Sequence, residues 1–156
     1  MRILGIDPGT GILGFGIIDY DGKSTKLVDA GVIRTPVKEE DSIRLETIYD
    51  ELHELIIELK PQIMSVEKLF FAQNVTTAMT VAQARGVVLL CGKQHKLDLY
   101  EYTPLQIKQA LTGYGRADKK QIQEMVRVIL GLKDVPKPDD CADALAAAIC
   151  HSMTVR

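Results

Sequence analysis

Four carboxylates at uneven spacing stand out in this 156-residue chain: Asp7, Glu67, Asp140 and Asp143. Three of them interrupt apolar stretches whose neighbours favour burial. Asp7 ends the run Met1-Arg-Ile-Leu-Gly-Ile-Asp7 and leads into Pro8-Gly-Thr-Gly11. Pro8 removes a backbone donor and the glycines permit positive φ, so the acid sits where a strand gives way to a turn. Glu67 repeats the pattern, closing Ile63-Met-Ser-Val-Glu67 downstream of Pro61. If the two strands are parallel neighbours, the acids meet. Metal-dependent phosphoryl chemistry needs that convergence, because Mg²⁺ is a hard cation that takes carboxylate oxygen and keeps several waters.

Asp140 and Asp143 lie one helical turn apart in Pro138-Asp-Asp-Cys-Ala-Asp-Ala-Leu-Ala-Ala-Ala148. Pro138 suits a first helical turn, where Asp139 and Asp140 meet unpaired N–H groups and the positive end of the helix dipole. Capping accounts for Asp139 and extends to Asp140. It does not account for Asp143, which is set among apolar residues. Positions 140, 143 and 147 share one face, so an alanine-rich helix lying close to a sheet would aim both acids at its strand ends. The pattern alone leaves two readings open, a metal site or a capped helix with a surface ion pair.

The elements that must position these acids follow from periodicity. Strands are expected at 2–7, 12–19 and 26–34, the last two joined through Asp21-Gly22, as an antiparallel meander. Leu45, Ile48, Leu52, Leu55 and Leu59 recur at intervals of three and four and predict a core-facing helix near 41–60. After the strand at 63–67, a helix begins with Asn74 as N-cap, its small residues allowing close packing on another subunit. A strand at 98–102 follows, then helices beginning near Pro104, near Ala117, and from Pro138 to about Met153. The order predicts an α/β domain with a mixed β-sheet flanked by helices.

Composition narrows the class. At 156 residues and 46% hydrophobic, the chain suits one well-packed domain spanning 1–156. It has no apolar run of about 18 residues and no basic segment leading into an apolar signal core, so a cytoplasmic protein is expected. Cys91, Cys141 and Cys150 are odd in number and lack C-x-x-C spacing, which suits buried small hydrophobes better than disulfides or a zinc site. His53, His95 and His151 show no ligand spacing to one another and read as structural.

A net charge of −2 argues against a nucleic-acid partner until its distribution is considered. Residues 1–84 carry −5, residues 85–127 carry +4 and residues 128–156 carry −1. The basic segment holds Lys108, Arg116, Lys119 and Lys120. Divalent ions held by the four acids would cancel much of the remaining repulsion toward phosphate.

Ile6-Asp7-Pro-Gly-Thr-Gly11, Val66-Glu67-Lys-Leu-Phe70, Gln83-Ala-Arg-Gly86 and Pro138-Asp-Asp140-Cys-Ala-Asp143-Ala-Leu-Ala together resemble the motifs of the RuvC family of bacterial Holliday-junction resolvases. The resemblance runs nearly end to end and implies a ribonuclease H-like fold. It implies that Asp7, Glu67, Asp140 and Asp143 coordinate divalent metal for phosphodiester hydrolysis, with Asp7 bridging. The expected cofactor is Mg²⁺, two per subunit and about 4 Å apart in sites of this type, with Mn²⁺ as a substitute. Paired nicks in a four-way junction, 5′-phosphate and 3′-hydroxyl ends, a homodimer and partnership with the RuvA–RuvB branch-migration complex are implied likewise. Lys108 and Lys119 match family positions that contact DNA near the scissile phosphate, and Phe70 matches an aromatic that resembles a wedge stacking on bases. Arg116 and Lys120 are further DNA-contact candidates from the basic segment, against the plain reading of a solvated helix face. Asp139 is an extra acid beside Asp140 and leaves the choice between them slightly open.

Two rivals stand beside this reading. Asp7-Pro-Gly-Thr-Gly11 also resembles the first phosphate loop of actin-like ATPases and sugar kinases, a class that needs a second domain and a second glycine-rich loop. A non-catalytic junction-binding protein would use the same acids structurally.

Overall fold

The computed structural model describes residues 1–9, 11–68 and 75–155; Phe70, Phe71 and Asn74 lie outside the described residues. Strands β1 (Arg2–Asp7), β2 (Ile12–Tyr20) and β3 (Thr25–Arg34) form the expected antiparallel meander. Strands β4 (Ile63–Glu67) and β5 (Asp98–Tyr102) add in parallel on the other side of β1, giving the order β3-β2-β1-β4-β5. The strand bearing Asp7 is therefore central. The β2–β3 turn forms where Asp21-Gly22 predicts it: Asp21 Oδ1 accepts from the N–H groups of Lys23 and Ser24, and Gly22 takes a φ of 96°.

Helices cover both faces. Helix α1 (Asp41–Leu59) and helix α2 (Val75–Gln94) pack on the face formed by Leu4, Ile6, Leu13, Ile17, Met64 and Val66. Helices α3 (Pro104–Thr112), α4 (Lys119–Ile129) and α5 (Asp139–Thr154) pack on the face bearing Ile3, Ile18, Tyr20 and Ile63. The fully buried stripe of α1 is Ile48, Leu52 and Ile56, with Leu45, Leu55 and Leu59 flanking it half-buried; Ile56 was not part of the expected stripe.

Helix starts show what the periodicity reading missed. Thr103 caps α3 in a reciprocal box with Gln106, and Asp118 caps α4 in another with Gln121, so α4 begins at Lys119 rather than at Ala117. Gly113 ends α3 in the left-handed conformation. Pro138 stands at the N-cap, one residue before α5 rather than within its first turn, and has no side chain that can cap, leaving Asp139 and Asp140 as the first-turn acids.

Helix α5 packs its backbone directly against the sheet because glycines clear a bed for it. A Cβ at Gly5 would stand 2.0 Å from the Ala144 carbonyl oxygen, and one at Gly14 would stand 2.0 Å from that of Asp140. Ser65 Oγ adds a 2.7 Å bond to the Ala147 carbonyl oxygen from β4. The three cysteines are buried and free, as expected, with burial pushing each thiol up to about 11. Among the described residues no helix is long and apolar enough to cross a membrane.

Candidate active site

Strand alternation decides which way the acids face. In β1, Ile3 and Gly5 point toward α5, so Asp7 does too; in β4, Ile63, Ser65 and Glu67 share that face. The parallel register pairs Ile6 with Val66, which brings Asp7 and Glu67 side by side at the carboxyl edge of the sheet. At that edge each carboxyl perturbs the other's proton affinity. Asp7 is held far above the usual carboxylate range, first by burial and then by the charges of Glu67, Asp143 and Asp140. Glu67 is also raised, by burial and then Asp143, while the adjacent Asp7 carboxyl and the nearby Lys108 and Lys119 pull the other way. Two half-buried carboxyls in this relation favour sharing one proton over ionising together.

From above, α5 contributes the other two acids. Asp143 is raised by burial, opposed by Lys119 and reinforced by Asp140 and Asp139. Lys119 Nζ lies 3.5 Å from Asp139 Oδ2 and 3.6 Å from Asp143 Oδ2. Burial disfavours the Lys119 charge, but Asp143, Asp139 and Asp140 outweigh it and hold the ammonium above its usual value. Asp140 acts on Asp7 and Asp139 does not, because Asp139 turns toward Lys119 and solvent with 57% of its side chain exposed. That difference favours Asp140 as the member of the metal set. A cleft of about 290 Å³ opens beside these groups, lined by Glu67, Asp143, Lys108, Lys119, Ile107 and Ile122.

As placed, the acids form two partnerships rather than one closed shell: Asp7 with Glu67, and Asp143 with Lys119. Among the described residues, accordingly, no three His, Cys, Asp or Glu side chains make a ready coordination cage. The electrostatic convergence on Asp7 and the absence of a cage are consistent, because like charges in a buried site relieve themselves by sharing a proton or recruiting a cation. The donor chemistry fits a hard divalent ion: four carboxylates, on two strand ends and one helix face, without sulfur or imidazole.

Residues 3–151 match the family model described as crossover junction endodeoxyribonuclease RuvC. The chain belongs to the RuvC family. A relative of that name from Desulfitobacterium hafniense is 56% identical over 155 residues, covering 99% of this chain and 94% of its own. Among solved structures, Thermus thermophilus RuvC superposes with a TM-score of 0.93 at 37% identity, over 100% of this chain and 96% of that one. Thermus thermophilus RuvC in complex with Holliday junction substrate superposes with a TM-score of 0.95 at 37% identity, over 100% and 95% of the two chains. The fold is thus ribonuclease H-like, as the motifs implied, and the actin-like alternative falls away. Divalent-metal dependence comes with the family.

The structure brings Asp7, Glu67, Asp140 and Asp143 together and sets Lys108 and Lys119 on the cleft wall. Arg116 and Lys120 are exposed beside the start of α4, off that wall. Phe70 lies outside the described residues. Sequence reasoning missed the supporting glycines, although glycines inside strand patterns at 5, 14 and 16 signal close backbone approach. It also treated the histidines as separate. His151 is fully buried and bonds Tyr102 Oη through Nδ1 at 2.7 Å, and His53 meets His95.

Proposed function

We propose that this chain is a structure-specific endonuclease that resolves four-way DNA junctions by metal-dependent hydrolysis of two opposed strands, leaving 5′-phosphate and 3′-hydroxyl ends. The observation that carries this reading is the convergence of Glu67, Asp143 and Asp140 on the half-buried carboxyl of Asp7, beside a cleft walled by Lys108 and Lys119. The junction bound by the Thermus thermophilus relative supports the substrate class.

Asp7, Glu67, Asp140 and Asp143 would hold two Mg²⁺ ions, with Mn²⁺ as a substitute, and Asp7 would be the central ligand of the set because every other acid acts on it. Bound there, such ions supply an activated water and charge stabilisation for the leaving oxygen of an in-line displacement. The residues' own part begins with the Asp7–Glu67 proton, which must leave before both carboxylates can ligate. Lys119 then exchanges its ion pair with Asp139 and Asp143 for an incoming phosphate, and Lys108 faces the same cleft. Both ammonium groups stand where negative charge grows as the phosphodiester is attacked. Arg116 and Lys120 extend the basic surface toward the junction arms, and Phe70 is assigned to stacking at the junction centre.

Paired cutting calls for two sites related by a two-fold axis. Helix α2 supports a homodimer: Met79 is 64% exposed, Leu90 is 54% exposed, and Gly86 between them on the same face opens onto clear space. A RuvA–RuvB branch-migration complex is the further partner this assignment suggests.

The deciding experiment incubates the protein with labelled synthetic four-way junctions and with linear duplex of the same sequence, with and without Mg²⁺. Metal-dependent paired nicking confined to the junction is expected. Junction binding without any cutting would return the acids to a structural role.

A further inference from the structure

We propose that His53 and His95 form a second metal site, a two-imidazole clip for a borderline transition-metal ion of the Zn²⁺, Ni²⁺ or Cu²⁺ class, joining α1 to the end of α2. The residues are far apart in sequence, yet His53 Nδ1 and His95 Nε2 face each other at 2.7 Å, with ring centroids 4.7 Å apart and planes inclined at 45°. The His53 ring is oriented by a neighbour, and the backbone of His95 is fixed at the end of α2. Tyr49, one turn earlier on α1, stacks on His53 with centroids 6.0 Å apart and planes within 12°. The Tyr49 hydroxyl donates to Gln94 Oε1, next to His95. The backbone N–H of His95 donates to the Cys91 carbonyl oxygen at 3.1 Å, continuing the helical bonding of α2.

Each ring of the pair is only partly buried, so an ion can reach it. At present one ring donates its N–H to the other. Coordination needs both facing lone pairs, which a neutral pair supplies by moving that proton to the outer nitrogen of the donating ring; no net proton is released. Metal–nitrogen bonds of about 2.0–2.1 Å in a tetrahedral site place two nitrogens about 3.3 Å apart, so the rings must separate by about 0.6 Å. Small side-chain rotations provide that.

Donor type separates this site from the acidic one. Imidazole suits Zn²⁺, Cu²⁺ and Ni²⁺, whereas Mg²⁺ prefers oxygen and its own waters. The two sites also lie on opposite faces of the sheet, the histidines in the α1/α2 layer and the acids under α5. Among the described residues no third His, Cys, Asp or Glu joins the pair, so water completes the shell.

The test titrates the full-length, EDTA-stripped and desalted protein with ZnCl₂ and reads the melting temperature. A saturable rise of about 3 °C is expected in wild type, retained in Asp7→Asn and lost in both His53→Gln and His95→Gln. The histidine variants should cut junctions with Mg²⁺ within about twofold of wild type, showing that they are folded. Should either fail to fold, substoichiometric Cu²⁺ added to wild type must broaden the NMR signals of His53 and His95 first. An equal zinc shift in the histidine variants, a shift lost only in Asp7→Asn, or absence of selective broadening would each overturn the assignment.

Discussion

Gly14 of β2 lies directly beneath Asp140 of α5, so close that a Cβ on Gly14 would stand 2.0 Å from the Asp140 carbonyl oxygen and 3.0 Å from its Cβ. Gly14 is also the register partner of Asp7. With Gly5, this missing side chain therefore sets the height of the helix over the strand end and, with it, the distance between acids from opposite ends of the sequence. Gly14→Ala should lift the start of α5. Overpacking of this kind costs about 1–3 kcal/mol, which for a chain of this size is a fall of roughly 3–10 °C in melting temperature. Cutting should fall more than about tenfold, measured as single-turnover nicking of a junction. Normal stability and normal cutting together would mean that the close contact positions nothing.

Asp7→Asn should abolish cutting while leaving junction binding nearly intact. The amide preserves shape at the end of β1 but removes the anionic oxygen on which Glu67, Asp143 and Asp140 converge. Turnover within about tenfold of wild type, an effect of only about 1.4 kcal/mol, is incompatible with a bridging ligand. Gel-shift and cleavage assays on the same junction separate the two effects.

The same substitution should stabilise the chelated protein at alkaline pH. Asp7, Glu67 and Asp143 are all raised, each first by burial, so the folded chain keeps protons that the unfolded chain has already released. Their contribution is complete below about pH 4, where the unfolded carboxyls are protonated as well, and is lost as pH climbs toward the raised values. In EDTA, Asp7→Asn should therefore melt above wild type at pH 8, with the gap closing toward pH 4. Saturating Mg²⁺ should shrink the gap by neutralising the acids. A difference that is constant across pH would place the Asp7 carboxylate in solvent rather than in the cluster.

The acids themselves were legible in the sequence because each breaks a local rule: Asp7 and Glu67 end apolar strands, and Asp143 stands in an alanine-rich helix. Their convergence needed one further step, parallel pairing of β1 with β4, which the strand order made a natural expectation. Pairings between distant residues were not legible. Nothing near His53 announces His95, since their meeting depends on how α1 lies against α2. The start of α4 was misplaced for a more local reason, because Asp118 and Gln121 read as ordinary surface polars unless tested as a capping box. Lys119 could be nominated from its basic neighbourhood, but its attachment to Asp139 and Asp143 required the turn that Gly113 opens between α3 and α4.

Lys119→Ala should slow cleavage more than it weakens binding. The ammonium is held 3.6 Å from Asp143 beside the cleft, where charge developing on the phosphate rewards a cation more in the transition state than in the ground state. A loss of about tenfold or more in single-turnover rate, with a Kd change of only a few-fold, is expected. Equal losses in the two assays would make Lys119 a backbone anchor.

The three acids at the start of α5 should respond unequally. Asp140→Asn and Asp143→Asn should each remove nuclease activity, since Asp140 acts on Asp7 and Asp143 acts on both Asp7 and Glu67. Asp139→Asn should retain most of it. Asp139 does not act on Asp7, and it meets the site through a weak influence on Asp143 and through the half-exposed Lys119, an ion pair worth no more than about 1 kcal/mol. All three variants should melt close to wild type in Mg²⁺, so that any loss reads as chemistry rather than unfolding. The Mg²⁺ dependence of Asp139→Asn should match wild type. An inactive Asp139→Asn beside an active Asp140→Asn would exchange their roles, whereas activity in all three would leave the junction-resolving assignment without its metal site.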